Sequence, residues 1–356
     1  ARGPDAGETR GMLMAEHSVR IGGPYFEDFT VGQVFDDAPS LTITAGHAAL
    51  HQAILGDRMR MPLDAALTAR VTGHAAPGPV ALAHPQLVCD VSIGQSTGAS
   101  ERALANLFYR GLVLNRQVFV GDTLTSRAHV VALKQNRTRT AGVATGLVAL
   151  RIQTVDQHDR IVLDYWRCPM LPLRDEDAQT SHLDPITGIP EQLDHDALHA
   201  AVPSDWDYAH FRTLPGAHSR DLRMGTAYHV EARETVTSAP ELARLSLNIA
   251  RTHTDAGASG RGRRLVYGGH TIGIAAAGVT RALPNLMTIL AWDGCDHVGP
   301  VFEGDILSTS VSVTRIERAR YADAGLVWLR ATVTADRADG TPPAPVLDWR
   351  LVALMA

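Results

Sequence analysis

Four stretches of the chain alternate apolar and polar residues with the period of two that marks strands lying against a core. AHVVALKQ (128–135) and VATGLVALRIQTV (143–155) lie in the first half, TSVSVTRIE (309–317) and LVWLRATVTA (326–335) in the second. Each pair follows a longer apolar stretch, ALAHPQLVCDVSIGQ (81–95) and LVYGGHTIGIAAAGVTRAL (265–283), in which the alternation gives way to helical text. The second is dominated by Gly273, Ala275, Ala276, Ala277 and Gly278, a surface that lets a helix lie close to another backbone. A long apolar helix of this kind is buried on most sides when an antiparallel sheet wraps it.

The two halves repeat each other. VFVGDTL (118–124) and VFEGDIL (301–307) align with Gly121 and Gly304 183 positions apart, and the closing phrases LDYWR (163–167) and LDWR (347–350) align at 184. Upstream, Phe26-Glu27-Asp28-Phe29-Thr30-Val31-Gly32 opens the first unit and Leu222-Arg223-Met224-Gly225 the second, followed by SLTIT and ARETVTS. Landmarks in the same order at a near-constant offset predict two copies of one fold. The expected division is a flexible leader over 1–20 with a start at Met12 or Met14, a unit over 21–172, an acidic, Pro/Gly-punctuated linker over 173–214, and a second unit over 215–356.

Composition narrows the chemistry. The 356 residues carry 33 basic and 38 acidic side chains, a formal charge of −5, which argues against a nucleic-acid-binding body. Lys134 is the only lysine and lies in a turn-like stretch, so Schiff-base and P-loop lysine chemistry have no seat. Cys89, Cys168 and Cys295 are far apart with no CxxC, which indicates neither a disulfide framework nor a thiolate zinc site and fits a reducing, cytoplasmic compartment. Leu265 to Thr280 is too short for a membrane span. Sixteen histidines invite a metal reading, but no HExxH or HxH pair is present, and no metal is expected.

The sequence resembles the MaoC-like hydratases through Tyr25-Phe26-Glu27-Asp28-Phe29 with Val31-Gly32, Ala105-Asn106-Leu107, Val120-Gly121-Asp122-Thr123-Leu124 and Arg263-Arg264-Leu265-Val266-Tyr267-Gly268-Gly269-His270. The resemblance implies an α+β double hot-dog, two tandem units each with a long helix wrapped by a curved sheet. It also implies a homo-oligomer such as a dimer, and no cofactor beyond the CoA thioester that serves as substrate. The family carries a phrase D-x-N-P-L-H whose Asp and His hold a water, and a short H-G step into the central helix. Asn248-Ile249-Ala250-Arg251-Thr252-His253 matches the phrase in the second unit, placing His253 on the histidine and Asn248 on the aspartate. In the first unit Gly56-Asp57 resembles its start, but Pro62-Leu63-Asp64 stands where the histidine belongs. The H-G step is matched by Gly268-Gly269 and by His84-Pro85, where proline has no N–H to donate.

Water addition to an enoyl thioester needs a base for the water proton, an acid for the α-carbon and donors for the enolate oxygen. On this reading Gly269 offers its N–H to the thioester oxygen, and either His253 alone shuttles the proton with Asn248 holding the water, or a carboxylate, Asp57 first and Asp255 second, completes the pair. GASGRGRR runs GxxGxG with no strand leading into it, which weakens a nucleotide loop. Arg261, Arg263 and Arg264 there suit CoA phosphates or form a solvated loop, and Arg251 suits a substrate carboxylate or a surface ion pair. The function implied is hydration and dehydration of a branched or dicarboxylic enoyl-CoA of the mesaconyl-CoA type. An acyl-CoA thioesterase and a non-catalytic acyl-CoA-binding protein stand as alternatives.

Overall fold

The structure, a computed structural model, describes residue 19 and residues 21–356 apart from 75–77, 141, 183, 184, 187, 260 and 261. The expected leader, all but Val19, lies outside the described residues. The first unit contains β1 (Val34–Phe35), β2 (Leu41–Thr42), β3 (Ala105–Leu114), β4 (Thr123–Gln135), β5 (Thr145–Val155) and β6 (Ile161–Pro172). The second contains β7 (Ala227–His229), β8 (Glu234–Thr235), β9 (Leu286–His297), β10 (Ile306–Arg318), β11 (Gly325–Asp336) and β12 (Ala344–Met355). They join in one antiparallel sheet in the order β1-β4-β5-β6-β3-β9-β12-β11-β10-β7, with β2 also on β4 and β8 on β10. The halves meet at β3 and β9, where Tyr109 faces Cys295 and Val113 faces Ala291.

The sheet curls around two central helices, Pro85–Gln95 and Gly268–Ala282, which start 183 residues apart and pack on each other. Pro85 suits the first helical turn because its missing N–H would have had no partner there, and the His84 ring accepts the Gln86 N–H at 3.1 Å. Every residue of the first helix is buried, as is Gly269–Thr280 of the second. Helices buried on all faces form stably only where sheet and partner helix surround them.

The repeated VFxGD phrase is a strand-entry turn made twice. Gly121 and Gly304 adopt φ of +110° and +87°, which disfavour any side chain. The next residue's carboxylate closes the turn: Asp122 accepts the Phe119 N–H at 2.8 Å and Asp305 the Phe302 N–H at 3.0 Å. The opening phrase has a packing role. Phe26 lies against Gly146 of β5, where a Cβ would come within 2.3 Å of the ring, and the Glu27 carboxylate accepts the Arg174 N–H at 2.9 Å.

The acidic segment after β6 is more than a surface excursion. It forms helices His195–Ala200 and Tyr208–Phe211. Its Leu198, Trp206 and Phe211 join a second hydrophobic cluster with Leu290 of β9, Leu326 of β11 and Val352 of β12. β9 is therefore covered on both faces over Leu286–Trp292, which is why that part of it reads as an almost unbroken apolar run. Among the described residues no helix is long and apolar enough to cross a membrane.

Candidate active site

The chain turns sharply before the second central helix. Helix Ala239–Leu245 ends at Ser246, and Leu247 takes φ of +61°, a conformation costly for a side chain of its size, before Asn248 and the short turn Arg251–His253. Gly94 of the first central helix permits this path, since a Cβ there would lie 1.6 Å from the Ser246 carbonyl oxygen. The Asn248 N–H donates to the Ala243 carbonyl at 2.9 Å, and the Ile249 N–H donates to Thr97 Oγ1 at 3.0 Å.

These contacts set Asn248 and His253 on the wall of one cavity of about 260 Å³, with Tyr267 and Gly268 at the start of the second helix, His297 at the end of β9, and Tyr109 and Arg167 from the first unit. No carboxylate of the described residues lines it. His253 Nδ1 lies 2.8 Å from the Leu265 carbonyl oxygen. A carbonyl only accepts, so Nδ1 carries the proton and Nε2 presents a lone pair. Burial pushes the His253 pKa below its ordinary value, with the Leu265 hydrogen bond opposing it weakly, so the ring is neutral near pH 7. Asn248 Oδ1 accepts the Ala250 N–H at 2.9 Å, which fixes its amide orientation and leaves Nδ2 as a donor.

The remaining expected residues are placed elsewhere. Asp57 does not line the cavity and is not a partner of His253. It sits 2% exposed two residues past helix Ala45–Leu55, 3.0 Å from His84 Nε2, within ion-pair range though out of line for a hydrogen bond. Burial alone would raise its pKa, but His84, the Met59 N–H and His51 together hold it below the usual value. Its Oδ1 accepts the Met59 N–H at 2.7 Å, the same two-residue turn that Asn248 makes with Ala250. Asp57 and Asn248 are thus equivalents in the two halves.

Gly269, the expected N–H donor, is not among the residues lining the cavity, whereas its neighbour Gly268 is. Gly268 opens the helix on the cavity wall, whereas a Cβ on Gly269 would strike Asp90 Oδ1 at 2.1 Å. Asp255 is exposed and accepts the Gly257 N–H. Arg251 is exposed and does not line the cavity. Arg263 stacks over Phe302 and stands 3.6 Å from Asp305, and Arg264 pairs with Glu303. Arg261 lies outside the described residues.

Three lining residues were missed by sequence reasoning. Tyr267 lies with its ring 5.6 Å from that of His253. His297 has a buried Nε2 with no hydrogen-bond partner, set over Gly268, where a Cβ would come within 2.5 Å of it. Arg167 is 3% exposed on the inner face of β6. The repeat did hold a signal for Arg167: aligning Asp164 with Asp348 puts it opposite Leu351, so a charge stands where the other half places a buried leucine.

Burial pushes the His270 and His297 pKa values down to about 4. The folded protein then stays unprotonated at both rings between pH 6.5 and 4 while the unfolded chain takes up protons, so stability falls as pH drops through that window. Thermal denaturation from pH 8 to 4 should show a steady melting temperature above pH 6.5 and a declining one below. A melting temperature constant down to pH 4.5 would contradict these burials.

No family model matches the chain. It is 30% identical to a β-methylmalyl-CoA dehydratase of Chloroflexus aurantiacus, over 94% of this chain and 97% of that one. It is also 30% identical to a mesaconyl-CoA hydratase of Cereibacter sphaeroides, over 90% of this chain and 91% of that one. Among solved structures, a conserved protein of Mycobacterium tuberculosis with a double hotdog fold, essential for bacterial survival during infection, superposes with a TM-score of 0.85 at 47% identity, covering 95% of this chain and 100% of that one. A MaoC domain protein dehydratase of Chloroflexus aurantiacus gives 0.82 at 28% identity, covering 95% and 99%. With its repeated helix-and-sheet units and relatives matched along nearly their whole length, the chain belongs to the MaoC-like double hot-dog family of hydratases and dehydratases.

Proposed function

We propose that the protein reversibly hydrates an enoyl-CoA thioester of the mesaconyl-CoA type, with His253 as the proton shuttle. The supporting observation is His253 itself: a neutral ring oriented by the Leu265 carbonyl, with Nε2 making no hydrogen bond among the described residues, on a cavity that no carboxylate of those residues lines. Asn248 Nδ2 donates to a water oxygen, and Nε2 takes one proton of that water as its oxygen bonds to the β-carbon. The double-bond electrons move to the thioester oxygen as an enolate. Gly268, first residue of the helix, has an N–H without an intrahelical acceptor and the positive end of the helix dipole behind it, and it holds that oxygen. The imidazolium then returns its proton to the α-carbon, completing addition of one water and regenerating neutral His253. A thioesterase acting through a carboxylate finds none on the wall among the described residues.

Incubation with mesaconyl-CoA should remove the enoyl-thioester absorbance. Hydration of none of mesaconyl-CoA, crotonyl-CoA and 2-methylcrotonyl-CoA would sink the proposal. Because burial lowers the His253 pKa, kcat/KM should be flat from about pH 6.5 to 8 and fall as the ring protonates at lower pH. An acid limb centred above pH 7 would assign the proton to another group.

A further inference from the structure

We infer that Arg167 selects substrates bearing a carboxylate on the acyl chain, by forming the counter-ion that the protein itself leaves out. This rests on the hydratase reading and specifies its substrate. Arg167 is 3% exposed, lines the same cavity as His253, and has no carboxylate within ion-pair range among the described residues. Its Nη2 donates to the Ser96 carbonyl and to Ser100 Oγ, both at 2.8 Å, and its buried Nε has no partner. The arginine of the matching phrase in the second unit, Arg350, falls on the outer face of β12, where Asp296 stands 3.0 Å and Asp348 3.8 Å away.

An arginine cannot shed its charge at any ordinary pH, and a buried cation without a counter-ion is strongly disfavoured. The end of the first central helix, through Ser96, offsets part of that charge. What remains is a guanidinium fork in a cavity that no carboxylate of the described residues lines, suited to bidentate recognition of a carboxylate brought by the ligand. In mesaconyl-CoA that group sits on the β-carbon, so the same contact would orient the carbon that receives water.

Two pairs of thioesters test this. 2-Methylcrotonyl-CoA differs from mesaconyl-CoA in carrying a methyl where the carboxylate stands, and 2-methylbutyryl-CoA differs from methylsuccinyl-CoA in the same way without a reactive double bond. The wild-type kcat/KM ratio of mesaconyl-CoA to 2-methylcrotonyl-CoA should be at least about 100. Arg167→Met should reduce that ratio at least about 100-fold, and Arg167→Lys should restore part of it. By calorimetry, methylsuccinyl-CoA should bind the wild type at least about 10-fold more tightly than 2-methylbutyryl-CoA. A wild type that hydrates both substrates equally, or binds both saturated thioesters equally, overturns the inference while leaving the hydratase reading intact. A folded Arg167→Met that loses both substrates in proportion shows an arginine that only anchors the helix end and also overturns it. Preference in binding without any hydration keeps the carboxylate site and removes the hydratase reading.

Discussion

Alanine at His253 lowers kcat for hydration by about 10²–10⁴-fold, the range a positioned general acid–base supplies, with the protein still folded. The expected loss is large because Asn248 Oδ1 is committed to the Ala250 N–H and no carboxylate of the described residues lines the wall, which leaves His297 as the one other imidazole there among them. The effect on stability should be small. His253 is only partly buried, and its removal leaves one carbonyl, that of Leu265, without its ring partner, a cost of about 1 kcal/mol. Kinetics with mesaconyl-CoA beside a thermal melt separate the two effects. A loss below 10-fold in a folded variant would transfer the proton to another group, with His297 the first to examine.

Gly94→Ala should destabilise the protein by about 3 kcal/mol or more and abolish hydration. The added methyl would sit 1.6 Å from the Ser246 carbonyl oxygen and 2.6 Å from its carbon, and backbone has no rotamer by which to retreat. Helix and loop would have to part, and the loop carries Leu247 in its left-handed conformation and Asn248 beyond it. Gly98→Ala is the matched control, because its methyl would meet only Asp37 Oδ1 at 3.5 Å, ordinary contact. Urea denaturation of both variants checks the difference, and equal midpoints would show that the close approach is not required.

The large plan of the fold was legible because it is written twice. Bridges Leu82 to Phe119 and Leu265 to Phe302 reproduce the offset of 183, as do the two helix starts. Alternation located the long strands because one face of each meets a central helix. The segment after β6 was less legible: its acidic residues describe its solvent side, whereas Trp206 and Phe211 act through tertiary packing that no local pattern announces. The site was legible only where a local phrase carries it, at Asn248 and His253. Arg167 and His297 come from strands whose residues meet at the cavity only after the sheet curls, and Asp57 drew attention by its place in the phrase although its partner, His84, lies 27 positions further along the chain.

The seam between β3 and β9 has an energetic consequence. Two separate copies of one hot-dog, joined edge to edge, would carry every inward residue twice, so a cation buried without a counter-ion in one copy would be buried in both. Here the copies are covalently one chain, and their inner faces differ: Arg167 faces inward from β6 where β12 offers Leu351, and Asp57 holds the turn that Asn248 holds in the other half. Fusion confines the destabilising charge to one unit and lets the other place a leucine, Leu351, at the matching position.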